Sequence, residues 1–518
     1  MASSILKNLH LLEAHAVVAL LREGRVTAMQ LLEVAEKRIA ATDSIVHATP
    51  ITCFERARER IANMQHPSDP PLGYLYGLPV LVKDQEAVSG VRFTEGSPLY
   101  VNRVAQDSSP LVLQLEKKGA VVIGKTNVPE FCAGSQSFNP IFPTTVSPWD
   151  TRTTAGGSSG GSAAALASCQ CWLATGSDLG GSLRTPASFC GVVGFRVSPG
   201  RVPRGEASGP WRSIHSVNGP MARSVRDVGL LLDAMDGNAG WSFSFAPLPQ
   251  GETYEAAAIL GASIARSEVK ASAWKVGFST LGCTVDPQQE KHSRRAAEIL
   301  ASMAPDSEPQ LLELTNEVDF KMAERCFHVQ RAQGFADKFR DMLADPETAK
   351  FVKPEILWNA EAGCAVAGTE ADLAALEAQV MALFEHVDIV CAPMTLDAAF
   401  DAQVRYPTEQ VGQKFSNYLE WMKPACIVTA MLCPAISLPA GFLEDGRPVG
   451  VQLIGPPGAD AQVLVAAAAI EARLGVETCC PSPRAGSADL KTIGPRSVEE
   501  AAQHHEGAVE RFAVQYRA

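Results

Sequence analysis

The sequence lacks any long apolar run: no stretch approaches the ~18 residues that a bilayer-spanning helix requires. Positive charge is short as well. The 45 Lys and Arg face 57 Asp and Glu, a net charge of −12, which argues against a nucleic-acid or anionic-membrane partner, since both need a basic face. There is no C-x-x-C, no H-E-x-x-H and no other zinc-ligand spacing, so no zinc site is expected; no other metal and no organic cofactor is expected either. The 13 cysteines are scattered, with only Cys169/Cys171 and Cys479/Cys480 close together. They read as small buried apolar residues of a reducing compartment. Near the start, Lys7, Glu13, Arg22 and Glu23 interrupt the apolar residues Ile5, Leu6, Leu9, Leu11, Leu12 and Val17 to Leu21. An amphipathic surface helix is therefore expected rather than a targeting segment, and the location expected is cytoplasmic.

What is present is ordinary globular material, 46% hydrophobic and 20% charged over 518 residues. Length alone suggests about two to four domains. The order of elements points to something simpler. Thr27 and Gln30 form a capping box that opens a helix through about Ile39. Leu78 to Val82 is a short apolar strand ending at Lys83-Asp84. Ser109-Pro110 starts a helix that Gly119 stops, and Ala120 to Ile123 is a second buried strand. Strand, helix, strand predicts an α/β fold: a mixed central β-sheet covered by α-helices on both sides. Residues 1–70 read as N-terminal helices, 71–240 as a core, 241–385 as a helical insertion, 386–475 as completion of the core, and 476–518 as a tail. Strand-like runs at Val387–Val390, Ala435–Leu438 and Val449–Leu453 support that completion.

Two glycine-serine loops stand out: Gly156-Gly157-Ser158-Ser159-Gly160-Gly161-Ser162 and Gly180-Gly181-Ser182. Each runs directly into structured segments, as site-building loops do and linkers do not. The first also fits G-x-S-x-G, but the preceding Ser147 to Thr154 is polar and turn-like. A nucleophile elbow needs a strand there. No G-K-[ST] follows, so a phosphate loop fails too.

These loops, with Gly176-Ser177-Asp178-Leu179 before the second and Leu183-Arg184 then Pro186 to Gly191 after it, resemble the amidase signature family. Gly77 to Asp84, Gly124 to Glu130, Gly219 to Val225 and Leu438 to Phe442 resemble its other landmarks. The resemblance runs from about residue 10 to residue 475 and is weakest in the insertion. It implies a catalytic group of Lys83 as base, Ser158 as bridging serine on an unusual cis peptide bond, and Ser182 as nucleophile. The gap of 24 between the serines (182 − 158) is the family's spacing. It implies an oxyanion hole from the backbone N–H groups of Leu179, Gly180, Gly181 and Ser182. Asp178 and Arg184 would brace that loop, and Cys132, Ala133 and Gly134 would line the substrate pocket. The departures, Ser177 for a threonine, Ala155 for a proline, Ser147-Pro148 for Asn-Pro, and Phe195-Arg196-Val197, remove no member of the catalytic group. Cys132 has no histidine placed beside it, and none of the ten histidines shows catalytic spacing.

The chemistry then sets a requirement. A serine hydroxyl attacks only when a base takes its proton. A lysine of ordinary pKa is about 0.04% neutral at pH 7, so Lys83 must be desolvated to act. The expected activity is cleavage of a small-molecule amide C–N bond, with esters and carbamates open to the same acyl-enzyme route. The alternative is a glutamine-dependent amidotransferase subunit that works in a complex. The resemblance is compatible with a homodimer, and the substrate is not legible.

Overall fold

The computed structural model describes residues 8–204, 214–237, 248–270, 272–304, 307–366 and 368–484. Ile5, Leu6 and Lys7 of the expected N-terminal helix, and most of the 476–518 tail, lie outside them. Within them, a short N-terminal helix covers Ala14–Arg22 and buries Val17 and Leu20.

The capping box forms as expected: Thr27 accepts from the Gln30 N–H, and Gln30 reaches back to the Thr27 N–H. It opens α1 (Ala28–Val46). The chain then builds an eleven-stranded sheet. In chain order its strands are β1 (Ile51–Thr52), β2 (Pro79–Lys83), β3 (Val121–Thr126), β4 (Leu173–Asp178), β5 (Val193–Arg196), β6 (Val217–Ala222), β7 (Lys275–Phe278), β8 (Gln310–Glu313), β9 (Ile389–Pro393), β10 (Ala435–Phe442) and β11 (Pro448–Ile454). The spatial order is β1-β3-β2-β4-β6-β5-β10-β11-β9-β7-β8. The β3-β2-β4 and β9-β7-β8 pairings are parallel and the rest antiparallel, which is the mixed sheet expected.

Two differences from the expectation are instructive. Residues 241–385 are mainly helical, with α2 (Phe320–Lys338), α3 (Pro354–Ala365) and α4 (Glu370–Leu383), yet they also supply β7 and the edge strand β8. These are four residues each, too short to show a period. The strands β5 and β6 were also missed, because Gly194, Gly219 and Pro220 break the apolar pattern that marks a strand.

The small residues of Gly160–Ala167 form a wholly buried helix. A Cβ at Gly161 would stand 2.3 Å from the Asn127 nitrogen, so only glycine lets this helix sit against the chain leaving β3. That close approach puts Ser158 at the carboxyl ends of β2 and β4. The β2 side chains are all buried.

Candidate active site

Lys83 is the last residue of β2 and 1% exposed. Its backbone N–H donates to Thr175 Oγ1 on β4 (3.1 Å), which holds the strand end in place. Its Nζ lies 2.7 Å from Ser158 Oγ and 2.8 Å from Ser177 Oγ. Burial pushes the Lys83 ammonium below the ordinary lysine range, with Asp178 and Glu86 pulling partly against it. Desolvation of this lysine is what general-base work requires.

Ser177, noted in the sequence only as a departure, turns out to be a neighbour of the lysine. Its hydroxyl donates to Gln85 Oε1 at 2.7 Å. With that proton committed, Ser177 can only accept from Lys83. A neutral Lys83 then has a lone pair free for the hydroxyl of Ser158.

A second lysine stands nearby on β3, and its surroundings differ. Lys125 is fully buried and ion-paired with Asp84, with its Nζ 4.3 Å from the centre of the Phe93 ring. The neighbouring carboxylate commits it, so Lys83 is the lysine left to the serines.

The peptide bond between Gly157 and Ser158 is cis. Ser158 and Ser182 line one cavity of about 350 Å3, together with Ser177, Leu179, Gly180 and Cys132. Ser182 is tied to the first serine loop through its carbonyl, which accepts from the Ser159 N–H (3.1 Å). Lys83 and Ser158 are thus joined directly, and Ser182 lines the same cavity as Ser158.

The loop carrying Ser182 is braced from beneath. Asp178, fully buried, takes both Nε and Nη2 of Arg184 at 3.0 Å, plus the N–H groups of Gly181 (3.0 Å) and Leu183 (3.2 Å). Arg196 joins from β5 at 3.4 Å. Burial alone would raise the Asp178 carboxyl, but the two guanidiniums hold it well below the usual range. Gly181 has φ +92°, and a Cβ there would lie 2.4 Å from that of Ala425, so glycine is required. Its N–H, one of the four expected oxyanion donors, is already given to Asp178.

The chain matches the amidase family model over residues 30–464. The chain belongs to the amidase family. Among its relatives, a glutamyl-tRNA(Gln) amidotransferase subunit of Moorella thermoacetica is 32% identical over 486 residues, covering 89% of this chain and 96% of that protein. The same subunit of Thermus thermophilus is 33% identical over 476 residues, covering 88% and 96%. In three dimensions the amidase resembles 6-aminohexanoate cyclic dimer hydrolase (TM-score 0.75, 25% identity), covering 89% of this chain and 97% of that one.

The opposite wall of the amidase cavity comes from the 130s strip and α2. Cys132 and Gly134 line the cavity. Ala133 is buried in an apolar cluster with Phe131, Phe335 and Phe339, and its carbonyl accepts from Lys353 Nζ. Of the three residues expected to line the pocket, it is the one whose side chain faces the core. Phe131 stacks edge-on to Tyr100 (5.7 Å) and Phe339 (5.1 Å), and Phe335 lies 5.3 Å from Phe339. Burial pushes the Cys132 thiol up, which leaves it a poor nucleophile.

The α2 residues were missed by sequence reasoning, although a signal existed: Phe327, Arg331, Phe335 and Phe339 recur every four residues, one helix face. Among the described residues, one group has metal-ligand proximity, namely Glu13, His15 and Asp227. Asp227 there accepts the N–H groups of Ala14 and His15 at 2.6 and 2.8 Å, the work of a helix cap. No helix among the described residues is long and apolar enough to cross a membrane.

Proposed function

We propose that this amidase hydrolyses carboxylic amides through an acyl-enzyme on Ser182, with Lys83 as base and Ser158 as proton bridge. The observation that carries the reading is the 2.7 Å contact of Lys83 Nζ with Ser158 Oγ, buried beside the cavity that Ser182 lines. Neutral Lys83 takes the Ser158 proton as Ser158 takes that of Ser182. The Ser182 oxygen attacks the carbonyl, and the relay runs backward to protonate the leaving nitrogen, which departs as amine. Water then repeats the attack and releases the acid.

The negative charge on the tetrahedral intermediate needs preorganised donors. With the Gly181 N–H held by Asp178, we assign that task to the N–H groups of Leu179, Gly180 and Ser182. Esters and carbamates fit the same acyl step. The aromatic wall of Phe131, Phe335 and Phe339 suits an apolar or aryl group beside the scissile bond.

A second reading, a glutamine-dependent amidotransferase subunit, is favoured by the relatives that carry that name at 32–33% identity over nearly their full length. The test is labelling of wild type and Ser182→Ala by a fluorophosphonate, read by intact mass and peptide mapping. A single adduct on Ser182, absent from the variant, supports the acyl-enzyme. An unlabelled wild type counts against it. Turnover of simple amides by the isolated chain counts against the subunit reading, and turnover of glutamine alone would favour it.

A further inference from the structure

Helix α2 and its C-cap residue lay Arg331, Phe335, Lys338 and Phe339 along the cavity, alternating cations with aromatic rings, and Phe327 stands one turn before Arg331. The near end of the helix meets the oxyanion loop, where a Cβ on Gly180 would stand 3.0 Å from Phe327 Cζ. Arg331 comes one turn later, is 5% exposed, and lines the same cavity as Ser182.

The partners of Arg331 are uncharged. Asn359 Oδ1 on α3 accepts from its Nη1, and the guanidinium lies 4.0 Å from the centre of the Phe335 ring. Among the described residues, no carboxylate lies within 4.0 Å of it. The nearby acids are already engaged. Glu355 is gripped by Arg405 at 2.8 and 2.7 Å. Glu130 accepts from Ser97 (2.9 Å) and from the Lys353 N–H (3.1 Å), and Asp337 on the rim pairs with Arg340. These acids are held by other cations and donors, and none of them pairs with Arg331. A buried cation without a counter-ion is expensive, and the cavity is the side on which one can arrive.

We propose that Arg331 is a specificity residue that pairs with a carboxylate on the substrate. The substrate class is then an amide whose scissile carbonyl and anionic group are separated by an apolar or aryl body lying on Phe335 and Phe339. A planar guanidinium suits a carboxylate, which it can engage through two N–H groups. This rests on the acyl-enzyme reading above and adds the chemistry of the bound molecule.

The test uses two matched pairs of anilides on the full chain. One pair places the charge on the acyl half: the mono-p-nitroanilide of adipic acid against heptanoyl p-nitroanilide. The other places it on the amine half: hexanoyl 4-aminobenzoate against hexanoyl 4-toluidine. In wild type, kcat/KM for the anionic member of one pair is expected to exceed that of its neutral twin by about tenfold or more, mainly through KM. The favoured pair tells which half of the substrate Arg331 reads. Arg331→Gln should lose the preference, with the ratio within the favoured pair falling to about one, and Arg331→Lys should keep part of it.

Equal rates within both pairs in wild type overturn the proposal, and this comparison needs no variant to fold. A preference that survives Arg331→Gln, or one lost instead in Lys338→Gln, also overturns it. If Ser182 labels with fluorophosphonate but no anilide turns over, the pairs are compared as protectors against labelling, with the same outcomes. If Ser182 does not label and nothing is hydrolysed, the acyl-enzyme reading itself has failed and the proposal falls with it. Labelling with neutral and anionic members equal sinks the proposal alone.

Discussion

The two walls of the cavity are made of different material. The wall bearing Ser158 and Ser182 consists of glycine, serine and alanine packed against the sheet, and its polar groups are held by buried partners such as Asp178 and Arg184. The facing wall consists of large side chains on α2 and at its C-cap, namely Arg331, Phe335 and Lys338, then Phe339. Backbone placed by close packing positions the serine oxygens tightly, because only one side-chain torsion separates each from the main chain. Large side chains on a helix shape a volume and can change without disturbing the first wall. The contrast predicts that chemistry fails when one wall is altered and selectivity fails when the other is.

The largest effect tests the first wall. Ser182→Ala should lower kcat on the order of 10⁴-fold or more, with the far-UV circular dichroism unchanged. Lys83→Met should cost about 10²- to 10⁴-fold, the usual worth of a general base. In wild type, kcat/KM should rise with pH through one ionisation. The neutral lysine is the active form and burial lowers its pKa, so the midpoint should lie below the ordinary value of 10.5. A limb governed by a histidine-like group near ~6.5 and abolished by histidine modification would break the assignment.

Asp178→Ala tests the bracing. It leaves the buried Arg184 and Arg196 without their carboxylate, and removing one partner of a buried ion pair costs about 3–5 kcal/mol. Urea denaturation measures it. On the other wall, Phe339→Ala should raise KM for aryl or long-chain amides about tenfold or more, while kcat for the smallest amide stays near wild type. A fall in kcat instead would mean that the walls are not separable.

The smallest effect concerns Ser177→Ala, expected to lower kcat about tenfold through lost positioning of Lys83. Ser177 accepts a hydrogen bond from Lys83, which favours the charged lysine. Its removal should therefore move the rising limb toward lower pH, whereas a purely structural serine would leave the limb in place.

Much of the first wall was legible because its requirements are local. Glycines at 156, 157, 160, 161, 180 and 181 stand as adjacent pairs in the chain, and their reason is backbone conformation or close approach. The apolar run ending at Lys83 announced a buried strand end. Ser177 was seen but not read, since its partner Gln85 is far away in sequence and nothing local marks the pair. The strands β7 and β8 were hidden by their length, and α2 was seen as a helix without its cavity-facing stripe.

The sequence by itself determined the type of fold, the family resemblance and the candidate serines and lysine, because short-range steric and polarity patterns encode them. Only the tertiary structure decided the surroundings of the two buried lysines, pairing Asp84 with Lys125 and setting Lys83 Nζ against Ser158 Oγ and Ser177 Oγ. It alone decided that the Gly181 N–H is spent on Asp178. It alone brought α2, far along the chain, to face Ser182. Burial and charge pairing across distant segments depend on how the sheet closes, and no local pattern carries that information.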